Sequence, residues 1–302
     1  MPALERVGAP GFTIGEFDAR PLRIRDGADP ASIVLPDLGY AEAALRSWAQ
    51  FRALRDAGVI PAGARFQVSL PTPAAVVGAF IAPDSQAAFE PIYEAALLAE
   101  LDRILAGIPH ESLAIQWDTA VEFGLVETAE GRRPAFPFHS WFGEDAAAVW
   151  AGLEARLRRQ IAAVPEDVEL GLHLCYGDVA EAHFIQPADA GELTRYIRAA
   201  LGVATRPITW FHLPVPIERD DAAYFAPLAG LELPEGTELY LGLVHREDGA
   251  EGARRRIAAA RSALGAFGVA TECGIGRAPA GTLEPILRTH REVSAPWPAA
   301  IG

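Results

Sequence analysis

Short apolar runs alternate with longer stretches of helical spacing from one end of this chain to the other. The runs that predict strands are residues 12–15, 65–70, 113–118, 168–175, 207–213, 238–245 and 269–273, with a weaker one at 32–36. Several are nearly continuous strings of apolar residues, as strands covered on both faces should be. Between them, residues 40–57, 86–106, 145–164, 190–201 and 250–267 carry Leu, Ala and Ile at helical spacing, with Arg, Asp and Glu on the opposite face. Eight strand candidates, each followed by helix or loop, predict an α/β fold of the (β/α)8 TIM-barrel type. An open doubly wound sheet is the alternative, but no Gly-x-Gly-x-x-Gly follows a first strand to support it. No Gly/Pro/Ser-rich linker divides the chain, so residues 1–302 are read as one domain. Residues 124–140, with Arg132, Arg133, Pro134 and Pro137, predict a long loop and candidate lid.

Composition narrows the partners. Half of the 302 residues are hydrophobic and 22% are charged, enough to bury a large core. The formal charge of −14 argues against nucleic acid or an anionic membrane surface as a partner. There is no Lys at all, which excludes Schiff-base and P-loop lysine chemistry. No apolar run is long enough to span a bilayer, and residues 1–20 have acids where a signal peptide has an apolar core. With only two cysteines, a reducing cytoplasm is the expected location.

Those two cysteines carry the chemistry. His173 and Cys175 are two residues apart on a predicted strand, so their side chains share a face. Cys273, at the end of the last predicted strand, supplies a second thiol. Together they are three donors of the kind Zn²⁺ accepts. Other predicted strands also end on ionisable groups: Asp118, His212 and His245. In a parallel barrel these ends converge on one mouth, where active sites are built. Plainer readings exist for each: a buried apolar Cys, a helix-capping Asp118, a backbone-bonded His212, and a His245 paired with Glu247 or Asp248. Trp117, Tyr176, Trp210 and Phe211 near the expected mouth are stacking candidates for a flat ligand, or barrel packing. Arg254, Arg255 and Arg256 read as the solvated face of a helix, and His183 has no partner suggested by sequence. A Gly-x-Ser-x-Gly elbow is absent.

In this order the motifs resemble the catalytic barrel of cobalamin-independent methionine synthase and its shorter relatives, within the uroporphyrinogen decarboxylase-like group of barrels. The likeness rests on Thr13-Ile14-Gly15-Glu16-Phe17, Ile115-Gln116-Trp117-Asp118, His173-Leu174-Cys175-Tyr176, Gly242-Leu243-Val244-His245 and Glu272-Cys273-Gly274-Ile275. It implies that His173, Cys175 and Cys273 bind zinc, that Asp118 holds a polar group of the substrate, and that His245 is a proton donor or substrate contact. The strand aligned with the family's fourth ligand, a Glu, offers no acid, and His212 is the nearest candidate. Glu16 replaces the family's Ser and would repel an amino acid's carboxylate; Glu122 lies near the position of a missing acid beside Asp118.

The expected function is zinc-dependent methyl or alkyl transfer to a small thiol other than homocysteine. The donor would be a small molecule such as a folate, or a corrinoid protein. Two alternatives stay open: a zinc-dependent lyase or hydrolase, and a metal-free barrel that binds a small molecule or a corrinoid protein.

Overall fold

A computed structural model describes residues 2–8, 13–14, 17–135, 138–177 and 183–295. Four short strands come first: β1 (Leu4–Arg6), β2 (Thr13–Ile14), β3 (Phe17–Asp18) and β4 (Leu22–Ile24). They pair antiparallel as β1 with β4 and β2 with β3. The first strand candidate thus enters a two-residue hairpin pairing and not the main sheet. The weak candidate at 32–36 forms no strand. There Asp29 accepts a hydrogen bond from Ala31 N at 2.9 Å and starts a 3-10 turn over Pro30–Ser32, and a turn donates nothing to a ladder.

The remaining six candidates form one parallel sheet. Its strands are β5 (Phe66–Pro71), β6 (Leu113–Asp118), β7 (Glu169–His173), β8 (Trp210–Pro214), β9 (Glu238–Val244) and β10 (Gly268–Thr271). They lie side by side in chain order from β5 to β10. Helices fill the intervals: α1 (Tyr40–Asp56) precedes β5, and α2 (Pro73–Phe80) and α3 (Pro83–Gly107) follow it. Next come α4 (Val121–Ala129) and α5 (Ala146–Ala162) after β6, α6 (Gly191–Val203) after β7, and α7 (Ala222–Phe225) after β8. The last two are α8 (Gly249–Ala260) and α9 (Leu283–Val293). Helix α4 occupies the first part of the segment expected to be loop, because Val121, Phe123, Leu125 and Val126 are all buried in the main core.

Local signals explain several of the starts. Thr72 accepts from Ala75 N at 3.0 Å and is followed by Pro73, which has no amide hydrogen to leave unpaired in the first turn of α2. Asp145 caps α5 in the same way through Ala148 N at 2.8 Å.

The sheet is two-sided in composition. Leu70, Ile115, Trp117, Leu170, Leu172, Phe211, Leu213 and Leu241 point into the helix layer and are buried in the main core. The alternate positions are polar or small, among them Gln67, Ser69, Gln116, Asp118, Gly171, His173, Trp210, His212 and Tyr240. This polar face lines a cavity of about 460 Å³ that collects Gln67 from the first strand of the sheet, Arg65 just before it, and Ala270 from the last strand. Among the described residues no helix is long and apolar enough to cross a membrane.

One expectation is corrected within α8. Arg254 and Arg255 are exposed, but Arg256 is fully buried. Its guanidinium reaches Asp248 through two bonds of 2.7 Å, Leu243 O at 3.0 Å and Ile217 O at 2.9 Å. The cause is helical spacing. Arg256 shares its face with Gly252, Ala253 and Ala260, all small and buried, which leaves room for the side chain to cross beneath α8.

Candidate metal centre

Strand register sets the candidate residues in a row. Asp118 on β6 is level with His173 on β7, His173 with His212 on β8, and His212 with Tyr240 on β9. Cys175 follows β7 by two residues and Cys273 follows β10 by two. The donor atoms of His173, Cys175 and Cys273 lie within 4.8 Å of one another. Strands β7 and β10 are three steps apart, a separation of about 14 Å in a flat sheet. The sheet is therefore rolled toward its polar face, and the roll brings the two cysteines together.

Burial makes this cluster unusual. His173 is 5% exposed and Cys175 4%. Both ring nitrogens of His173 are buried and neither has a hydrogen-bond partner among the described residues. Burial, with the neighbouring His212 adding to it, holds the His173 imidazole neutral by lowering its pKa to about 3. A neutral ring keeps a lone pair available to a metal. Cys175 donates to Cys273; that bond, with burial, pushes the Cys175 thiol up, and the same bond, against burial, brings the Cys273 thiol down. Gly177 N–H points back at the Cys175 sulfur. It can do so because the chain turns there through φ +80°, and a Cβ at that position would strike Phe184. Asp118 contributes further negative charge: burial raises it to about 6, against a 2.8 Å hydrogen bond from Gln116. Two thiols and a carboxyl face one another with no cation among the three donors, a set suited to a divalent ion of borderline softness.

His212 stands beside this group but outside it. Its ring stacks on His173 at 4.6 Å, and Nε2 faces Thr271 O at 3.1 Å. Burial lowers its pKa to about 4. Of the four expected metal ligands, the structure gathers three, and His212 is tied to backbone.

A second constellation adjoins Cys273 and was not foreseen. Glu272 holds one histidine on each carboxylate oxygen: His183 Nε2 at 3.1 Å from Oε1, and His245 Nδ1 at 3.0 Å from Oε2. The other nitrogen of His245 faces Val215 O at 2.8 Å, so both are engaged by the protein. Burial alone would raise the Glu272 carboxyl, but the two histidines outweigh it and bring it down to about 2. His183, His245, Glu272 and Cys273 line a cavity of about 280 Å³ at the carboxyl ends of β8, β9 and β10, together with Arg246, whose Nε lies 2.8 Å from Glu247. Sequence offered one signal for this arrangement, the acid directly before Cys273. His183 lies in an irregular segment, where no periodicity points to a partner.

The remaining candidates are dispersed. Trp117 faces the helix layer, fully buried, with its indole donating to Gln160 O at 3.1 Å. Tyr176 is likewise fully buried, against Phe123, and donates to Glu127 at 3.0 Å. Neither is at the mouth: Trp117 occupies the sheet face opposite Asp118, and Tyr176, beyond the end of β7, is buried against α4. Trp210 is on the polar face but below the metal row. It lies over Gly171, where any Cβ would meet the ring at 1.8 Å, and donates to Gln116 at 2.9 Å. Glu122 is buried at the start of α4, accepting from Thr72 Oγ1 and from Ala120 N at 2.9 Å, and burial raises its carboxyl. Glu16 lies outside the described residues. No family model matches the chain, and no curated protein matches it.

Proposed function

We propose that the protein is a zinc-dependent enzyme transferring a methyl or other alkyl group to a small thiol, related to the cobalamin-independent methionine synthase barrel. The observation that carries this reading is the pair of orphaned His173 nitrogens beside two thiols. A buried imidazole with no partner costs stability and is retained where it has a ligand to bind. His173, Cys175 and Cys273 would hold the metal, leaving a position for a substrate sulfur. Bound there, Zn²⁺ supplies the charge that keeps a substrate thiol as a nucleophilic thiolate at neutral pH. Asp118, level with His173 and partly protonated near neutral pH, is placed to hold a polar group of the substrate. The 280 Å³ cavity beside Cys273 admits a small molecule and is closed on one side by His245 and Glu272.

Metal content tests the function. Purified protein is expected to carry about one zinc per chain, and Cys175→Ala and Cys273→Ala each to lose most of it. Equal zinc in wild type and both variants would sink the reading. In the cobalt-substituted protein, small thiols are expected to shift the visible spectrum, whereas a site that holds only water leaves it unchanged.

A further inference from the structure

We infer that His183, oriented by Glu272, is the general base that takes the proton from the incoming thiol; this rests on the proposed function and adds a residue to it. The two histidines on Glu272 differ in one respect. His245 has both nitrogens engaged, one by Glu272 and one by the Val215 carbonyl, and is a fixed strut. His183 is held at Nε2 alone. Among the described residues its Nδ1 has only the Gln186 side-chain amide, whose Oε1 stands at 3.4 Å, the far limit of a hydrogen bond; half a turn about the last bond exchanges that oxygen for the amide N–H, which can donate to Nδ1.

A carboxylate on one imidazole nitrogen places the proton there and leaves the lone pair on the other. Glu272 therefore makes His183 the Nε2–H tautomer, with Nδ1 as acceptor. The ring is 7% exposed and lines the same small cavity as Cys273, so a thiol entering that cavity meets His183 and the Cys273 ligand together. The step balances: the S–H bond breaks, its electron pair stays on sulfur, and the proton forms an N–H bond at Nδ1. The resulting imidazolium is paired at Nε2 with the Glu272 carboxylate. Near Nδ1 and Nε2 the partners are Gln186 and Glu272, with the Tyr176 ring 6.2 Å from the imidazole. His183 is the group that exchanges the proton, and Glu272 and His245 are positioning residues.

Two measurements test this. In metal-free wild-type protein, long-range ¹H–¹⁵N NMR is expected to show the Nε2–H tautomer at His183; an Nδ1–H tautomer overturns the inference without any variant. In zinc-loaded protein, an indicator dye counts protons released when ethanethiol binds. Wild type is expected to release well under one proton, and His183→Gln about one per thiol bound. Equal release by both overturns the base while leaving the zinc–thiol reading intact. No binding of ethanethiol to either protein overturns that reading, and the base with it.

Discussion

Two kinds of buried polar cluster lie in this molecule, and they differ in whether their partners are complete. Around Arg156, Glu90 accepts from the guanidinium and from Trp141 Nε1 at 2.6 Å, Gly152 O takes a further bond at 2.9 Å, and the Phe142 ring lies 3.7 Å away. Arg256 is served as fully by Asp248 and two backbone carbonyls. At His173 two nitrogens are buried with no partner among the described residues. Saturation marks a strut that joins elements, and an unsaturated set marks a place where something else is to be bound.

Substitutions can break this comparison from either side. The largest effect is expected at the struts. Arg156→Met leaves the buried Glu90 carboxylate without its cation and should cost about 3–5 kcal/mol in urea unfolding. Zinc content in the folded fraction should be unchanged; loss of zinc would mean that the struts belong to the site.

The site residues should behave in the opposite sense. Asp118 is raised from 3.8 to about 6, so in the metal-free protein its ionised form opposes folding. The stability it contributes is full below its unfolded pKa and is lost as pH rises through about 6. Asp118→Asn is therefore expected to stabilise the metal-free protein by roughly 2–3 kcal/mol at pH 7, with the gain vanishing near pH 4. A gain equal at both pH values would show that charge is not the cause. His173→Leu, by removing two orphaned nitrogens, should stabilise the metal-free protein by about 1–2 kcal/mol while abolishing zinc binding. Destabilisation would place His173 among the struts.

The smallest effect is reserved for a residue once expected at the mouth. Trp117→Phe loses one hydrogen bond to Gln160 O and should cost about 0.5–1.5 kcal/mol, with zinc and thiol binding unaltered. A change in thiol affinity would return Trp117 to the site.

The pattern of the comparison also explains what was readable beforehand. His173 and Cys175 were legible because spacing on a strand dictates a shared face, and Cys273 because it ends an apolar run. The same alternation set Trp117 on the face opposite Asp118, a signal present in the chain and outweighed by its nearness to the acid. Buried Arg256 was announced by the small residues Gly252, Ala253 and Ala260 on its face of the helix. Nothing local marked His183, since its position depends on where an irregular segment docks. The edges of the sheet were least legible. Residues 12–15 and 32–36 are apolar enough for strands, but short runs are decided by pairing partners and turn chemistry that lie elsewhere in the chain.

Among the described residues β10 is the last strand of the sheet, with β9 as its sole neighbour there. An outermost strand is the first to fray, because half of its amides lack a partner. An ion shared between Cys273 and the interior strand β7 would rivet that border to the middle of the sheet across a long stretch of chain. Amide exchange along 268–271 would then report occupancy of the centre directly, fast in its absence and slow once the rivet is set.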